Sequence, residues 1–319
     1  MKIGKTKPTR LALAQKICRA TPPIIAQKLR LVLYPQGQAI RDDYESVVRA
    51  QTGSLFPART GELHGYVFSV HGFYEWRNTA IAIAVAAKGD TIVEIGANIG
   101  TETIGFSDIV GEKGKVYAFE PLPSNLEALE DLKATATFQN IDVVPVALSD
   151  GIRTASFVIP PSHQTGIGHV ISNEGMEDSQ TIAINCMTLD AYIDQIGPTR
   201  LIAIDTEGEE VRVLRGGRKF IRRYEPFIIL EASSRHLERS GFSIQDLDAE
   251  IRGLDYNLYS INKIGLSKIE SGKYKNSRNW LCIPKQQEAF VKKIHNILVK
   301  SALMPSFHEL NPMHLTSNV

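Results

Sequence analysis

Short apolar runs alternate with amphipathic stretches from about residue 61 onward, and this alternation limits the possible folds more than any other feature. The runs are TIVEI (91–95), KVYAF (115–119), DVVPVAL (142–148), RLIAID (200–205), PFIILEA (226–232), YNLYSI (256–261) and NWLCI (279–283). Between them lie helical patterns near 99–109, 123–134, 188–195, 209–223 and 243–253. Strands that alternate with helices form βαβ units and a mainly parallel sheet. Such a sheet is covered on both faces, which accounts for strands that are apolar throughout. One interval breaks the rhythm. TASFVI (154–159) and QTIAIN (180–185) read as a β-hairpin insertion, joined by the polar loop 160–179. A loop of that length in a compact domain is usually functional or poorly ordered.

The 319 residues divide into a basic helical or irregular extension (1–60), an α/β domain (61–285) and a C-terminal helix and tail (286–319). In the tail Phe290, Ile294 and Leu298 share one helix face by their i, i+4, i+8 spacing. Hydrophobic content of 43% supplies a core, and a net charge of +1 argues against nucleic acid as a partner of the whole protein. Cys18, Cys186 and Cys282 are too scattered for a zinc site or a disulfide framework, which fits a reducing, cytoplasmic setting. No apolar run reaches the roughly 18 residues of a membrane-spanning helix. Before Asp42 every charged side chain is basic, from Lys2 to Arg41. This arm reads either as a solvated helical element packed on the main domain or as a peripheral contact with a membrane or acidic partner. LALA (11–14) is too short for the apolar part of a signal peptide.

The first strand of the alternation runs into a glycine turn, EIGANIG (94–100). In doubly wound sheets ligands bind beyond the carboxyl ends of the strands. The NAD fingerprint GxGxxG would need glycine where Asn98 and Thr101 stand, and a side chain at Asn98 crowds a pyrophosphate. S-adenosylmethionine has a ribose and adenine but no phosphate, and its ammonium suits a nearby carboxylate such as Glu94. Glu120 ends the second strand, 24 residues after Gly96, where it can accept bonds from both ribose hydroxyls. Ser149 and Asp150 end the third, positioned either for the adenine edge or for a simple turn. AIDTEGEE (203–210) crowds four acids at one strand end. An acidic first helical turn explains Glu209 and Glu210. Asp205 and Glu207 instead suit a general base or ligands for a hard divalent ion, with Glu231 from the next strand as a third ligand. Glu231 also suits a substrate contact or an arginine partner. Upstream, VHGFYEWRN (70–78) offers Tyr74 or Trp76 to the sulfonium as cation–π partners. His163 and His169 in the long loop are candidate substrate contacts.

The order EIGANIG, VYAFEP, ALSD, TLDAYI, AIDTEGEE…VLRGG, PFIILE resembles the FkbM family of class I S-adenosylmethionine-dependent methyltransferases over roughly residues 88–235. The resemblance implies a Rossmann-like, seven-stranded, mainly parallel sheet and methyl transfer to oxygen, often a sugar or polyketide hydroxyl. By motif position Glu94, Gly96, Ala97, Asn98, Gly100 and Glu120 would hold the cofactor, and Asp205 and Glu207 would line the reacting end. The expected activity is O-methylation of a sugar, glycolipid or other hydroxylated metabolite. The competing readings are an NAD-linked oxidoreductase and a non-catalytic module that keeps the fold.

Overall fold

The computed structural model describes residues 6–159, 163, 168–170, 181–274 and 278–315. In chain order the strands are β1 (Glu45–Arg49), β2 (Leu55–Arg59), β3 (Thr91–Ile95), β4 (Lys115–Phe119) and β5 (Ile141–Val144). Then come β6 (Ala147–Leu148), β7 (Arg153–Val158), β8 (His169–Val170), β9 (Thr181–Met187) and β10 (Leu201–Ile204). The last four are β11 (Phe227–Glu231), β12 (Tyr256–Ile261), β13 (Leu266–Lys268) and β14 (Asn279–Pro284). The central sheet has the order β13-β12-β14-β11-β10-β3-β4-β5. Each of the seven expected strands has a counterpart in it, and the short β13 adds an eighth at the edge, but the run 142–148 is split: β5 ends at Val144, and residues 147–148 pair in a separate sheet as β6. The run from β11 to β5 is parallel, whereas β14 lies antiparallel between β11 and β12.

Both faces of this sheet are covered. Ile92, Val116, Ala203, Phe227 and Ile229 share one core with the helices Trp76–Val85, Thr103–Val110 and Phe290–Leu303. Val93, Ile95, Phe119, Ile204 and Ile228 share the other with Glu210–Gly216, Arg218–Tyr224 and Ile244–Arg252. Alternate strand residues point to opposite faces, so a strand buried on both sides is apolar throughout. Ile294 and Leu298 of the last helix are fully buried on the sheet, as their spacing predicts.

The insertion folds as its own four-stranded sheet, β6-β9-β7-β8, with β7 and β9 antiparallel and Thr154 opposite Asn185. The N-terminal extension differs in part from the expectation. It has three helices, Thr9–Arg19, Pro23–Leu33 and Gln36–Asp42, but residues 45–59 form the hairpin β1–β2 instead of helix or irregular chain. Its turn runs over Ala50-Gln51-Thr52-Gly53, closed by Gly53 N–H to the Ala50 carbonyl at 3.2 Å, with Gly53 at φ +132°. Pro57 is tolerated because this ladder has only two strands, each with a free edge. The first helices bury Leu11, Ala14, Cys18 and Ala26 against Tyr66, Val67 and Val70 of the helix Leu63–His71. Among the described residues no helix is long and apolar enough to cross a membrane.

Candidate functional site

Parallel register places the site. Ile95 pairs with both Phe119 and Ile204, and Ile204 pairs with Leu230. The next residue of each strand therefore falls in one row: Glu120, Gly96, Asp205, Glu231. Strand order reverses between β3 and β10, so a crevice opens beyond this row. It holds two adjoining chambers of about 350 and 250 Å³. His64, Tyr74, Gly96, Asn98, Asp205 and Glu231 line both.

Gly96 has φ +86°, and a Cβ there would overlap the Asp205 carbonyl. The glycine is required by its neighbouring strand as well as by the turn. Gly96 and Ala97 donate to the Phe119 carbonyl at 2.9 and 3.0 Å, which binds the turn to the end of β4. Gly100, at φ +83°, makes room for Leu129 and Leu132. Asn98 takes φ +51°, a left-handed conformation that asparagine tolerates.

In the larger chamber Glu120 is buried, and each of its oxygens accepts one backbone bond: Oε2 from Asn98 N–H at 2.8 Å and Oε1 from Leu122 N–H at 2.9 Å. The Asn125 side chain adds a third bond, and a carboxylate has about four acceptor positions, so room remains for a ligand hydroxyl. Burial raises its pKa to about 7 against the pull of these bonds. Asn98 Oδ1 and Asn125 Oδ1 are buried on the same wall without a protein partner. Val146, Ala147, Leu148 and Phe157 give this chamber an apolar side. Ser149 and Asp150 stand off it. Ser149 is packed beneath the helix Glu210–Gly216, accepts from Arg153 at 2.9 Å and donates to Glu209 at 3.3 Å. Asp150 pairs with Arg153 at 3.0 Å. Their place at the cavity wall is taken by the preceding apolar residues.

The smaller chamber is acidic. Glu75, Glu94, Glu102, Asp205 and Glu231 line it. Glu94 accepts a 2.5 Å bond from Thr103 Oγ1, yet burial lifts its pKa to about 8. Glu102, bonded by Asn78 at 2.9 Å, is pushed well above the usual range by burial and by Glu94 and Glu75. Asp205 is likewise held well above its ordinary value, by its place deep in the concavity and then by Glu231, Glu207, Glu210 and Glu75. Its side chain faces the open space of the cleft, which tempers the first cause and leaves the like charges prominent.

The turn after β10 separates the acids by role. Glu210 accepts from Thr206 N–H, Thr206 Oγ1 and Gly208 N–H at 3.1–3.2 Å, stitching the turn, and Glu209 pairs with Arg212 at 2.6 Å. Glu207, at φ +55°, meets His236 Nδ1 at 3.0 Å. His236 Nδ1 lies equally close to Glu231, whose other oxygen accepts from Arg278 at 2.5 Å. Ligand atoms of Glu207, Glu231 and His236 lie within 4.8 Å of one another, whereas Asp205, expected with the two glutamates, is outside that group.

Tyr74 reaches the cleft and stacks on His64, ring centroids 4.0 Å apart. His64 was not legible as a site residue. Glu62 caps its helix by accepting from His64 and Gly65 N–H at 2.9 and 2.7 Å, which sets His64 in the first turn, 3.3 Å from Asn98 Nδ2. Trp76, the other aromatic offered to the sulfonium, is fully buried in the core, with Arg77 4.5 Å over its ring. His163 is exposed, and its carbonyl accepts from Leu63 N–H at 3.2 Å. His169 sits in β8, paired with Val158, and its side chain lies outside the described residues, as does most of the 160–179 loop.

A Rossmann-like sheet with a glycine turn at the end of its first parallel strand and an acid at the end of its second suits a cofactor that carries an adenosine. Residues 94–258 match the methyltransferase FkbM domain, and the chain belongs to that family. Among solved structures it is similar to methyltransferase FkbM from Methylobacillus flagellatus KT, at 18% identity and TM-score 0.42, covering 86% of this chain and 58% of that one. It is also similar to Aeropyrum pernix fibrillarin in complex with S-adenosylmethionine, at 13% identity and TM-score 0.38, covering 65% and 73%. A putative methyltransferase from Streptococcus mutans in complex with SAH shares 12% identity at TM-score 0.38, covering 64% and 93%. The chain thus spans little more than half the length of the Methylobacillus structure. Among curated proteins none matches it.

Proposed function

We propose that the protein transfers the methyl group of S-adenosylmethionine to a hydroxyl oxygen of a sugar, glycolipid or other hydroxylated metabolite. The observation that carries this reading is Asp205, a carboxylate facing the space shared by the two chambers. The residues present suit the cofactor. Glu120 keeps room for a ribose hydroxyl, Asn98 and Asn125 offer unpartnered oxygens, and the acids of the smaller chamber suit a ligand carrying ammonium and sulfonium charge. When bound, the cofactor supplies an electrophilic methyl group. Asp205 accepts the proton of the acceptor hydroxyl, and a carboxylate with a raised pKa is the stronger base once ionised. A cation in the adjoining chamber favours that ionised form. Tyr74 and His64, stacked on each other, give both chambers an aromatic wall.

The group Glu207, Glu231 and His236 supports a second reading, in which a divalent ion lowers the pKa of the acceptor hydroxyl. Two carboxylates and an imidazole suit such an ion. The same groups are already bound to each other and to Arg278, which favours the base. Three free, buried cysteines support a reducing compartment such as the cytoplasm.

Calorimetric titration with S-adenosylmethionine, S-adenosylhomocysteine and NAD is the first test. Binding of the first two but not of NAD is expected, followed by transfer of labelled methyl to sugar hydroxyls. Activity that persists after chelation and dialysis removes the metal reading. No binding of either adenosyl compound would return the fold to a non-catalytic role.

A further inference from the structure

The N-terminal extension carries a second, separate surface. Its inner side is an ordinary core, but its outer side is not an ordinary solvent face. Ile25, Leu31 and Val32 are 49%, 56% and 77% exposed, and Leu13 on the preceding helix is 48% exposed. On Pro23–Leu33 the exposed positions 25, 28, 31 and 32 fall within an arc of about 120°, opposite the buried Pro23 and Ala26. On Thr9–Arg19, Leu13 and Lys16 face away from the buried Leu11, Ala14 and Cys18.

The charged side chains that these helices and their flanking residues expose are all basic. Lys7, Arg10, Lys16, Lys28 and Arg41 are exposed, and no Asp or Glu precedes Asp42. Arg19 and Arg30 are turned inward instead. Arg19 donates to the Val70 carbonyl at 3.1 Å and covers Phe307, and Arg30 lies 4.8 Å over the Tyr66 ring. Among the described residues before Asp42, two arginines are thus held against the main domain while the other basic side chains stay exposed.

We propose that the outward face of the helices Thr9–Arg19 and Pro23–Leu33 docks on an anionic lipid surface. Aliphatic side chains interleaved with lysine and arginine on a convex helix face match an interfacial helix, which sinks its apolar groups to the acyl boundary and leaves its cations at the headgroups. A second copy of the chain fits poorly, because two faces of the same positive sign repel. A protein partner fits less well, because protein interfaces are depleted in lysine at their centres. This inference is independent of the methyl-transfer reading, since none of these residues lines the cleft.

The test is sedimentation of the full chain with vesicles of phosphatidylcholine alone and of phosphatidylcholine with phosphatidylglycerol. Selective partition onto the anionic vesicles is expected, weakening with salt. The double variant L31E/V32E, at exposed positions, should lower partition at least tenfold, and K28E about fivefold or more. Both should leave the thermal melt and S-adenosylmethionine affinity unchanged. Equal sedimentation with and without phosphatidylglycerol, or wild-type partition in L31E/V32E, overturns the proposal. So does a wild-type oligomer, seen by light scattering, that dissociates in L31E/V32E, which would assign the face to a second copy.

Discussion

The two chambers of the cleft share a wall but hold their acids in different ways. Of the acids that line only the larger, Glu120 is held by two backbone N–H groups, Glu209 by Arg212 and Glu207 by His236, so each of these carboxylates has a fixed orientation. In the smaller, Glu75, Glu94 and Glu102 crowd together with the shared Asp205 and Glu231, and the arginines that reach them, Arg77 on Glu75 and Arg278 on Glu231, are outnumbered. An anchored carboxylate reads the shape of a neutral diol. A cluster short of cations carries negative potential and favures whatever positive ligand enters it. The difference matches the two halves of a ligand that is neutral at one end and cationic at the other.

The most severe way to break the comparison is Asp205→Asn. Turnover should fall about 10²–10⁴-fold, the range of a lost general base, while S-adenosylmethionine affinity stays close to wild type. Single-turnover kinetics with labelled cofactor, beside calorimetry, separates the two effects. Full activity in the variant would remove Asp205 from the chemistry.

The pH dependence of stability comes next. Folding raises the pKa of Glu94 to about 8 and of Glu120 to about 7, above the roughly 4.3 of an unfolded glutamate. Between those values the folded protein binds more protons than the unfolded chain, so its stability falls as pH rises from about 5 to 8. The expected loss in urea unfolding is on the order of a few kcal/mol for the ligand-free protein. A bound sulfonium should recover more of it at pH 8 than at pH 6, and the uncharged thioether of S-adenosylhomocysteine less. A flat profile would show that the acids of the smaller chamber are not strained.

Glu120→Ala should weaken cofactor binding by about 1–3 kcal/mol, the scale of bonds to a charged acceptor. Unchanged affinity would place the ribose elsewhere. The smallest effect is expected from Glu94→Gln, which keeps the shape and an acceptor for Thr103. Affinity at pH 6, where Glu94 is protonated, should barely move. The rise in affinity as pH passes 8 should disappear, and a rise that survives would point to Glu102 or Asp205 as its source.

Much of this site was legible because it is built on strand ends. TIVEIGANIG, YAFEP and AIDTEGEE each join an apolar strand to a turn, and the acid or glycine at that junction stands in the final row. The division of the DTEGEE acids was half legible. Helix-start chemistry explains Glu209 and Glu210, but nothing local tells that Glu207 turns toward His236. His64, Glu102, His236 and Arg278 carry no spacing that marks them. They come from different segments and meet only when those segments pack. Ser149 and Asp150 show the converse. They were expected at the end of the third central strand, but that strand, β5, ends at Val144, and residues 147–148 leave it to join the separate four-stranded sheet as β6, which carries Ser149 and Asp150 off the cavity wall.

Hydrophobic period and turn chemistry are local, so the sequence by itself determined the α/β alternation, the strand ends and the all-basic N-terminal arm. Register, strand order and the packing of distant segments are not local. Tertiary structure therefore decided that four strand ends form one row, that β1–β2 is a hairpin, that Trp76 fills the core while Tyr74 reaches the cleft, and that Arg19 and Arg30 turn inward while Lys28 stays outside. The physical reason is that each of these side chains has a good solution on either side of its backbone, and only the neighbour that arrives from elsewhere in the chain selects one.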